Sequence, residues 1–300
     1  MPSGRIYLSV STDAVDASLV TKDLAIKTFT SRVGVPLSRV AGIGDSANDL
    51  PFLKIPGLGL AGAPSNAQVA VKQALRTIRG SYISKKSVLD GFLDFYSKCS
   101  DAGIEFVFSD RDGVLIWKGD AEEKARLKQL LETMGQQSRP FIFILTGSSY
   151  EQNIEFMGNY KLDSSLGANQ RIRENPYIIY AENGAVQIDI LTSKSRDDAV
   201  SVDQDLLAAL KGDFLQCLLR RIKENILPVF GLELSDQRSD QRSKLYLPPK
   251  KSMVTVNVPR THMGLEDYRR SPQSDRLRQA LLKAMILTAK EHGLPYQVLE

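Results

Sequence analysis

Arg39-Val40-Ala41-Gly42-Ile43-Gly44-Asp45-Ser46-Ala47-Asn48-Asp49-Leu50-Pro51-Phe52-Leu53 is the stretch on which the fold turns. Residues 40–43 form a short apolar run closed by glycine, the pattern of a fully buried strand. A polar turn follows, and then Leu50, Phe52 and Leu53 of a short helix. Outward from here the alternation repeats. Gly57 to Leu60 predicts a strand, Ala67 to Leu75 a helix, and Ser87 to Cys99 (SVLDGFLDFYSKC) has apolar residues at helical spacing. Ile104 to Phe108 predicts a strand running into Asp110, Glu122 to Met134 an amphipathic helix, and Phe141 to Leu145 (FIFIL) a buried strand running into Thr146. Strands alternating with helices imply an α/β fold with a doubly wound, Rossmann-like parallel sheet.

After about Gly184 the texture changes. Longer helical patterns (Val202 to Leu210, Phe214 to Leu227) precede the polar SDQRSDQRS at 235–243, expected as an exposed loop. A β-branched run at Met253 to Val258, a long helix at Ser274 to His292 and an extended tail at Tyr296 to Leu299 complete a mixed α+β segment. The expected division is a core at 20–184 and a second domain at 185–300 plus 1–19.

The 300 residues are enough for about two domains. Hydrophobic residues at 42% and charged residues at 25% are an ordinary globular balance, which excludes a disordered chain, a collagen-like repeat and a disulfide scaffold. Cys99 and Cys217 form no CxxC pattern, so a reducing compartment and no metal-thiolate site are expected. No run approaches the ~18 to 20 apolar residues of a membrane helix. The opening MPSGRIYLSV lacks the basic segment and apolar core of a secretory leader, which makes the cytoplasm the expected location. The net charge of +4 is spread without a basic block, and clustered basic and aromatic residues are lacking, so a nucleic-acid partner is not expected.

Three strand ends carry polar residues where an open α/β sheet binds ligands. Asp110-Arg111-Asp112-Gly113 offers two carboxylates able to share one hard cation, with Gly113 permitting a tight turn; alone, its ordinary reading is an acidic surface turn. Gly44 to Asp49 offers two acids and an amide, an oxygen set that suits Mg²⁺. The same residues also suit a helix cap, and the two roles are compatible. Thr146-Gly147-Ser148-Ser149 offers a hydroxyl and open backbone amides for phosphate oxygens, though many strand-to-helix turns look alike.

Taken together, these motifs resemble the haloacid dehalogenase-like phosphohydrolases over nearly the whole chain. Thr21-Lys22-Asp23 with Ala25 looks like the family's lysine motif, ahead of GDSANDLPFL. Gly62-Ala63-Pro64-Ser65-Asn66-Ala67 looks like its phosphate-side loop, and Ala181-Glu182-Asn183-Gly184-Ala185 like its ENGA turn. One departure is large: here the lysine and GDSAND precede the DxD. Joining 292–300 to 4–10 restores the usual order, which reads as a circular permutation; a slice of a tandem pair would give the same order. Ser148 stands where sugar-phosphate members often carry Arg, removing one expected cation, and Val114 replaces a frequent Thr.

The resemblance implies that Asp110 attacks phosphorus and forms an aspartyl-phosphate, and that Asp112 protonates the leaving group and then activates water. Lys22 and Thr146 would neutralise and bind the transferring group, with Gly113, Gly147, Ser148 and Asn66 on the phosphate side. Mg²⁺ would be held by the Asp110 carboxylate, the Asp112 backbone carbonyl and Asp45, with Asp49 near or in the shell and Asn48 orienting the ligands. The second domain would be a large C2-type cap, as in phosphatases of sucrose phosphate, trehalose phosphate and mannosyl-3-phosphoglycerate. Arg260, His262, Lys250 and Lys251 are its candidate substrate contacts, each more simply read as a solvated charge. His262 and His292 have no metal partner in sequence, and Trp117 reads as a core or hinge residue or, alternatively, as a wall of the pocket. The expected function is Mg²⁺-dependent hydrolysis of a small phosphorylated metabolite by a monomer or homodimer, a swapped dimer included. A sugar phosphomutase and a non-catalytic phospho-ligand binder are the alternatives.

Overall fold

The computed structural model describes residues 4–11, 14–117, 119–133, 140–162, 169–197, 200–235, 244–258 and 271–299. Met134, Arg260, His262 and the SDQR doublet from Asp236 onward lie outside them. The chain divides into two compact units, Thr21–Val200 and the combination of Met1–Val20 with Ser201–Glu300.

In Thr21–Val200 the apolar runs assemble into one sheet. Its strand order is Ser195–Arg196, Val186–Ile188, Ile179–Ala181, Phe141–Leu145, Phe106–Ser109, Val40–Ile43, Leu60–Ala63, Tyr82–Ile83. From Ile179–Ala181 to Tyr82–Ile83 the strands are parallel, and the two at the other edge are antiparallel. Every residue of Val40–Ile43 and Phe141–Leu145 is buried, as expected of parallel strands covered on both faces. Register pairs Phe106 with Phe141 and Phe108 with Phe143. Phe29, from the helix Lys22–Val33, stands edge-on to Phe106, Phe108 and Phe143 at centroid distances of 5.1, 5.3 and 4.8 Å. These aromatic contacts fix the helix that begins at Lys22 against the two strands that carry the candidate chemistry.

The winding has a definite reversal. From Val40–Ile43 the chain steps outward to Leu60–Ala63 and Tyr82–Ile83, then returns through the helix Val88–Asp101 to Phe106–Ser109, beside its starting strand. From there it steps outward the other way. Strands Val40–Ile43 and Phe106–Ser109 are therefore neighbours whose following loops diverge, and such a switch point opens a crevice at the carboxyl ends. GDSAND and DRDG both emerge there.

Several boundaries differ from the sequence expectations. The first unit reaches Val200 rather than Gly184, because Val186–Ile188 and Ser195–Arg196 pair onto the edge of its sheet. Residues 57–59 form a turn, and the strand expected there is Leu60–Ala63. The two helices expected over 202–227 form one helical run from Gln204 to Phe230, kinked at Gly212 and widened to π geometry at Leu210–Phe214 and Ile222–Ile226.

The other unit has a sheet ordered Glu233–Ser235, Lys244–Tyr246, Met253–Asn257, Ala14–Ser18, Ile6–Val10, Tyr296–Val298. Alternation puts Ile6, Leu8, Val15, Ala17, Val254 and Val256 into a core with Phe214 and Leu218 and with Leu281 and Met285 of the helix Pro272–Glu291. Asp16 and Thr255 alternate with those core residues and are also buried.

Phe108→Ala should cost about 3 to 5 kcal/mol, because the ring is fully buried between Phe29, Phe143 and Tyr180. Urea unfolding of the variant measures it; a loss under about 1 kcal/mol would mean that this cluster does not hold the sheet together.

Candidate active site

The turn after Val40–Ile43 is organised by its last acid. Asp49 Oδ2 accepts hydrogen bonds from the backbone N–H of Asp45 at 2.9 Å and of Ser46 at 3.0 Å. Gly44 permits this: a Cβ there would stand 2.4 Å from the Asp49 Cβ. The Ser46 hydroxyl donates to Asn48 Oδ1, so Asn48 stiffens the turn through Ser46.

Asp110 follows Phe106–Ser109, and its N–H donates to Ile43 O at 3.0 Å, which locks the two turns side by side. Lys22 opens its helix buried, and Nζ donates to Asp49 Oδ1 and to Asp110 Oδ1, each at 2.6 Å. Burial alone would lower the Lys22 pKa, but the carboxylates of Asp110 and Asp49 outweigh it and hold the ammonium above the ordinary lysine value. Burial, opposed by Lys22 and reinforced by the like charges of Asp49, Asp45 and Asp112, pushes the Asp110 carboxyl well above the usual carboxylate range. Asp45, Asp49 and Asp110 are all buried, with carboxylate oxygens within 4.8 Å of one another. Three hard oxygen donors facing one ammonium leave an uncompensated negative field, and a divalent cation of the Mg²⁺ class fits that donor set.

Gly113 brings the DRDG turn against this cluster. Its φ is +86°, and a Cβ would stand 2.3 Å from Asp45 Oδ2, so only glycine allows the approach. Asn66 holds that turn: Nδ2 donates to Gly113 O at 2.8 Å, while Oδ1 accepts from the Val88 N–H at 2.8 Å. The Asn66 amide thus bonds the protein's own backbone on both edges.

The Thr146 turn is held from behind. Glu182 and Asn183 donate their backbone N–H groups to Ser148 O at 3.0 Å and Thr146 O at 2.9 Å, and Ser148 N–H donates to Thr146 Oγ1 at 3.1 Å. Glu182, Asn183 and Gly184 have φ of +50°, +59° and +101°, a left-handed run that is costly for the first two residues. Asn183 Oδ1 is buried with no hydrogen-bond partner among the described residues and lies 3.4 Å from where a Gly147 Cβ would stand.

Lys22, Asp45, Asp49 and Asp110 thus converge on one cluster, with Gly113 against it. Asp112 does not join the three buried carboxylates; its side chain is 44% exposed and bound to Arg111. Arg111 itself was not singled out from the sequence. It is buried, its guanidinium donating through Nη2 to Asp112 Oδ2 at 2.8 Å and to Ser148 Oγ at 2.7 Å. Nη1 donates to Asn153 Oδ1 at 2.8 Å, and the group lies over the Phe156 ring. The cation that Ser148 lacks therefore reaches its hydroxyl from another strand end. The sequence offers only an arginine standing between two aspartates, with no sign of its burial.

The remaining candidates sit elsewhere. Lys250 is buried rather than solvated, donating to Thr255 Oγ1 at 2.6 Å, and Thr255 donates to Asp16 Oδ1 at 2.5 Å. Lys251 is exposed, and Trp117 is half-buried with its N–H on Glu123 Oε2. The fold brings Cys217 to His292 and its sequence neighbour Glu291. Glu291 is paired with Arg220 and Arg221, whose charges oppose a cation there.

Residues 13–92 match the family model of haloacid dehalogenase-like hydrolases. A phosphoglycolate phosphatase of Methanothrix thermoacetophila is 32% identical over 85 residues, covering 28% of this chain and 35% of that protein. A phosphoserine phosphatase of Streptomyces coelicolor is 39% identical over 74 residues, covering 25% of this chain and 17% of that protein. The chain thus spans about a third or less of the length of these relatives, and no solved structure matches it significantly. The family match takes in Lys22, Asp45, Asp49 and Asn66 and ends before Asp110. This part of the chain is thus similar to haloacid dehalogenase-like hydrolases, two phosphatases among them.

Lys22→Met should destabilise the metal-free protein by about 3 to 5 kcal/mol, since it strands buried carboxylates. Denaturant unfolding in chelator measures this, and millimolar Mg²⁺ should restore more stability to the variant than to the wild type. Equal Mg²⁺ effects would contradict a shared carboxylate field.

Proposed function

We propose that this chain is a Mg²⁺-dependent phosphomonoester hydrolase that works through an aspartyl-phosphate on Asp110. The observation that carries the reading is the Lys22 bridge. A buried ammonium holds Asp110 and Asp49 at 2.6 Å, beside Asp45, at the switch point of a parallel sheet. A phosphate monoester repels anionic nucleophiles, so its cleavage needs an aligned carboxylate, neutralised charge and a proton for the leaving oxygen. Asp110 is the nucleophile, and Lys22 orients it and offsets the charge of the transferring group. Asp112 donates a proton to the leaving oxygen and later accepts one from the attacking water. The Thr146 hydroxyl and the amides of its turn bind phosphoryl oxygens. Asp45, Asp49 and Asp110 are the side chains that would hold Mg²⁺, which when bound neutralises phosphoryl charge.

The substrate class is a small phosphorylated metabolite, a sugar phosphate or phosphoglycerate glycoside. The unit formed by Met1–Val20 and Ser201–Glu300 serves as a C2-type cap that selects the leaving group. The motif order is read as a circular permutation. Support comes from the strand Tyr296–Val298, which lies parallel to Ile6–Val10, and from the helix Val88–Asp101, which links the two halves of the other sheet.

The test is phosphate release from a panel of sugar and glycerate phosphates with Mg²⁺, using Asp110→Asn as control. Release should fall by at least about 10³-fold in the variant, with its unfolding midpoint kept. Release that survives in Asp110→Asn would remove the nucleophile assignment, and full release in excess chelator would remove the metal. A folded wild type that releases no phosphate from any substrate would favour a mutase or a non-catalytic binder.

A further inference from the structure

We propose that Arg111 is a positioning residue for Asp112, aiming its carboxylate at the leaving-group oxygen and tying it to the turn that binds the phosphoryl group. The inference rests on the phosphatase reading and adds to it a residue that the motifs do not assign.

The geometry comes first. Arg111 is held on every side that the structure describes. Asn153 accepts from Nη1, the Phe156 ring lies 5.3 Å below the guanidinium carbon, and Ser148 and Asp112 share Nη2. Nε adds a second bond to the same Asp112 oxygen, at 3.2 Å. A planar fork fixed at so many points presents its donors in one direction only, which a lysine would not do.

The energetics point the same way. Burying a guanidinium carries a desolvation cost, and an ion pair with a carboxylate that is 44% exposed returns little of it as stability. A pair of this kind contributes orientation instead. An Asp112 left to itself would exchange rotamers, and proton transfer requires the carboxyl within hydrogen-bond reach of the leaving oxygen. Because one nitrogen bonds both Asp112 and Ser148, any motion of the Thr146–Ser148 turn carries Asp112 with it. Donor and phosphoryl site keep their register.

The step affected is the first transfer. An Asp110 oxygen bonds to phosphorus as the ester P–O bond breaks, and the Asp112 proton passes to the departing oxygen. Hydrolysis then breaks the Asp110–phosphorus bond, and the proton lost by water returns to Asp112. An alkoxide leaving group needs that proton, whereas p-nitrophenolate departs well without it.

The experiment compares kcat and KM of the Mg²⁺-loaded protein on an alkyl phosphate (the best member of the sugar-phosphate panel) and on p-nitrophenyl phosphate. Arg111→Met should lower kcat on the alkyl ester by about 10²-fold, within the range that general acid catalysis supplies, and on the aryl ester by less than about 5-fold. Arg111→Lys should fall between, and Ser148→Ala should shift the same ratio by several-fold. If Arg111→Met unfolds in a thermal melt, Arg111→Lys and Ser148→Ala carry the comparison. Equal losses on both esters, or a raised KM with kcat unchanged, would overturn the proposal in favour of a structural or substrate-binding arginine. A wild type inactive on both esters would instead overturn the phosphatase reading beneath it.

Discussion

The Lys22 ammonium, held between Asp49 and Asp110, is the contact on which the rest of this unit depends. Three carboxylates brought together in a buried place repel one another, and the sheet places two of them on adjacent strand ends regardless. Lys22 is the first residue of a helix whose fit against the sheet is set by Phe29 among Phe106, Phe108 and Phe143. Hydrophobic packing thus delivers the charge that lets the acids coexist. Burial first, and the like charges of Asp49, Asp45 and Asp112 after it, raise the Asp110 carboxyl, and those clustered acids are what a divalent ion would answer.

Around that contact each strand-end turn is fastened by a neighbour. Asp49 ties down GDSAND through backbone N–H groups, Asn66 holds DRDG through the Gly113 carbonyl, and the left-handed Glu182–Asn183 backbone holds the Thr146 turn. Arg111 connects the last two. Residues that bond backbone leave their neighbours oriented, and a site for a tetrahedral anion needs that orientation before the substrate arrives. Asn66, expected on the phosphate side, bonds Gly113 O and the Val88 N–H.

The parallel strands were legible because strands buried on both faces are written as unbroken apolar runs, and FIFIL or VAGI ending in a polar turn has few other readings. The carboxylates were legible for the same reason: they stand where such runs stop. The boundary at Val200 was not, because Val186–Ile188 and Ser195–Arg196 are too short to show a period. Arg111 and Asn66 were opaque in another way. Their partners, Ser148, Asn153, Gly113 and Val88, are distant in sequence, and local pattern carries no information about such bonds. Lys250 misled for a third reason, since a lysine in a polar stretch gives no sign that Thr255 and Asp16 will enclose it.

The order of the motifs along the chain matters less than it first suggests. What the crevice requires is that Val40–Ile43 and Phe106–Ser109 be hydrogen-bonded neighbours with their loops diverging, and that condition refers to space alone. Val40 pairs with Phe106 and Ile43 with Ser109 whichever strand is synthesised first. The entropic cost of the connection grows only with the logarithm of its length, so replacing one link by another of similar reach alters stability little. The helix Val88–Asp101 supplies such a link, and Phe92, Phe95 and Cys99 bury it. A sheet built this way tolerates reordering of its strands as long as the two acid-bearing ends still meet at Lys22.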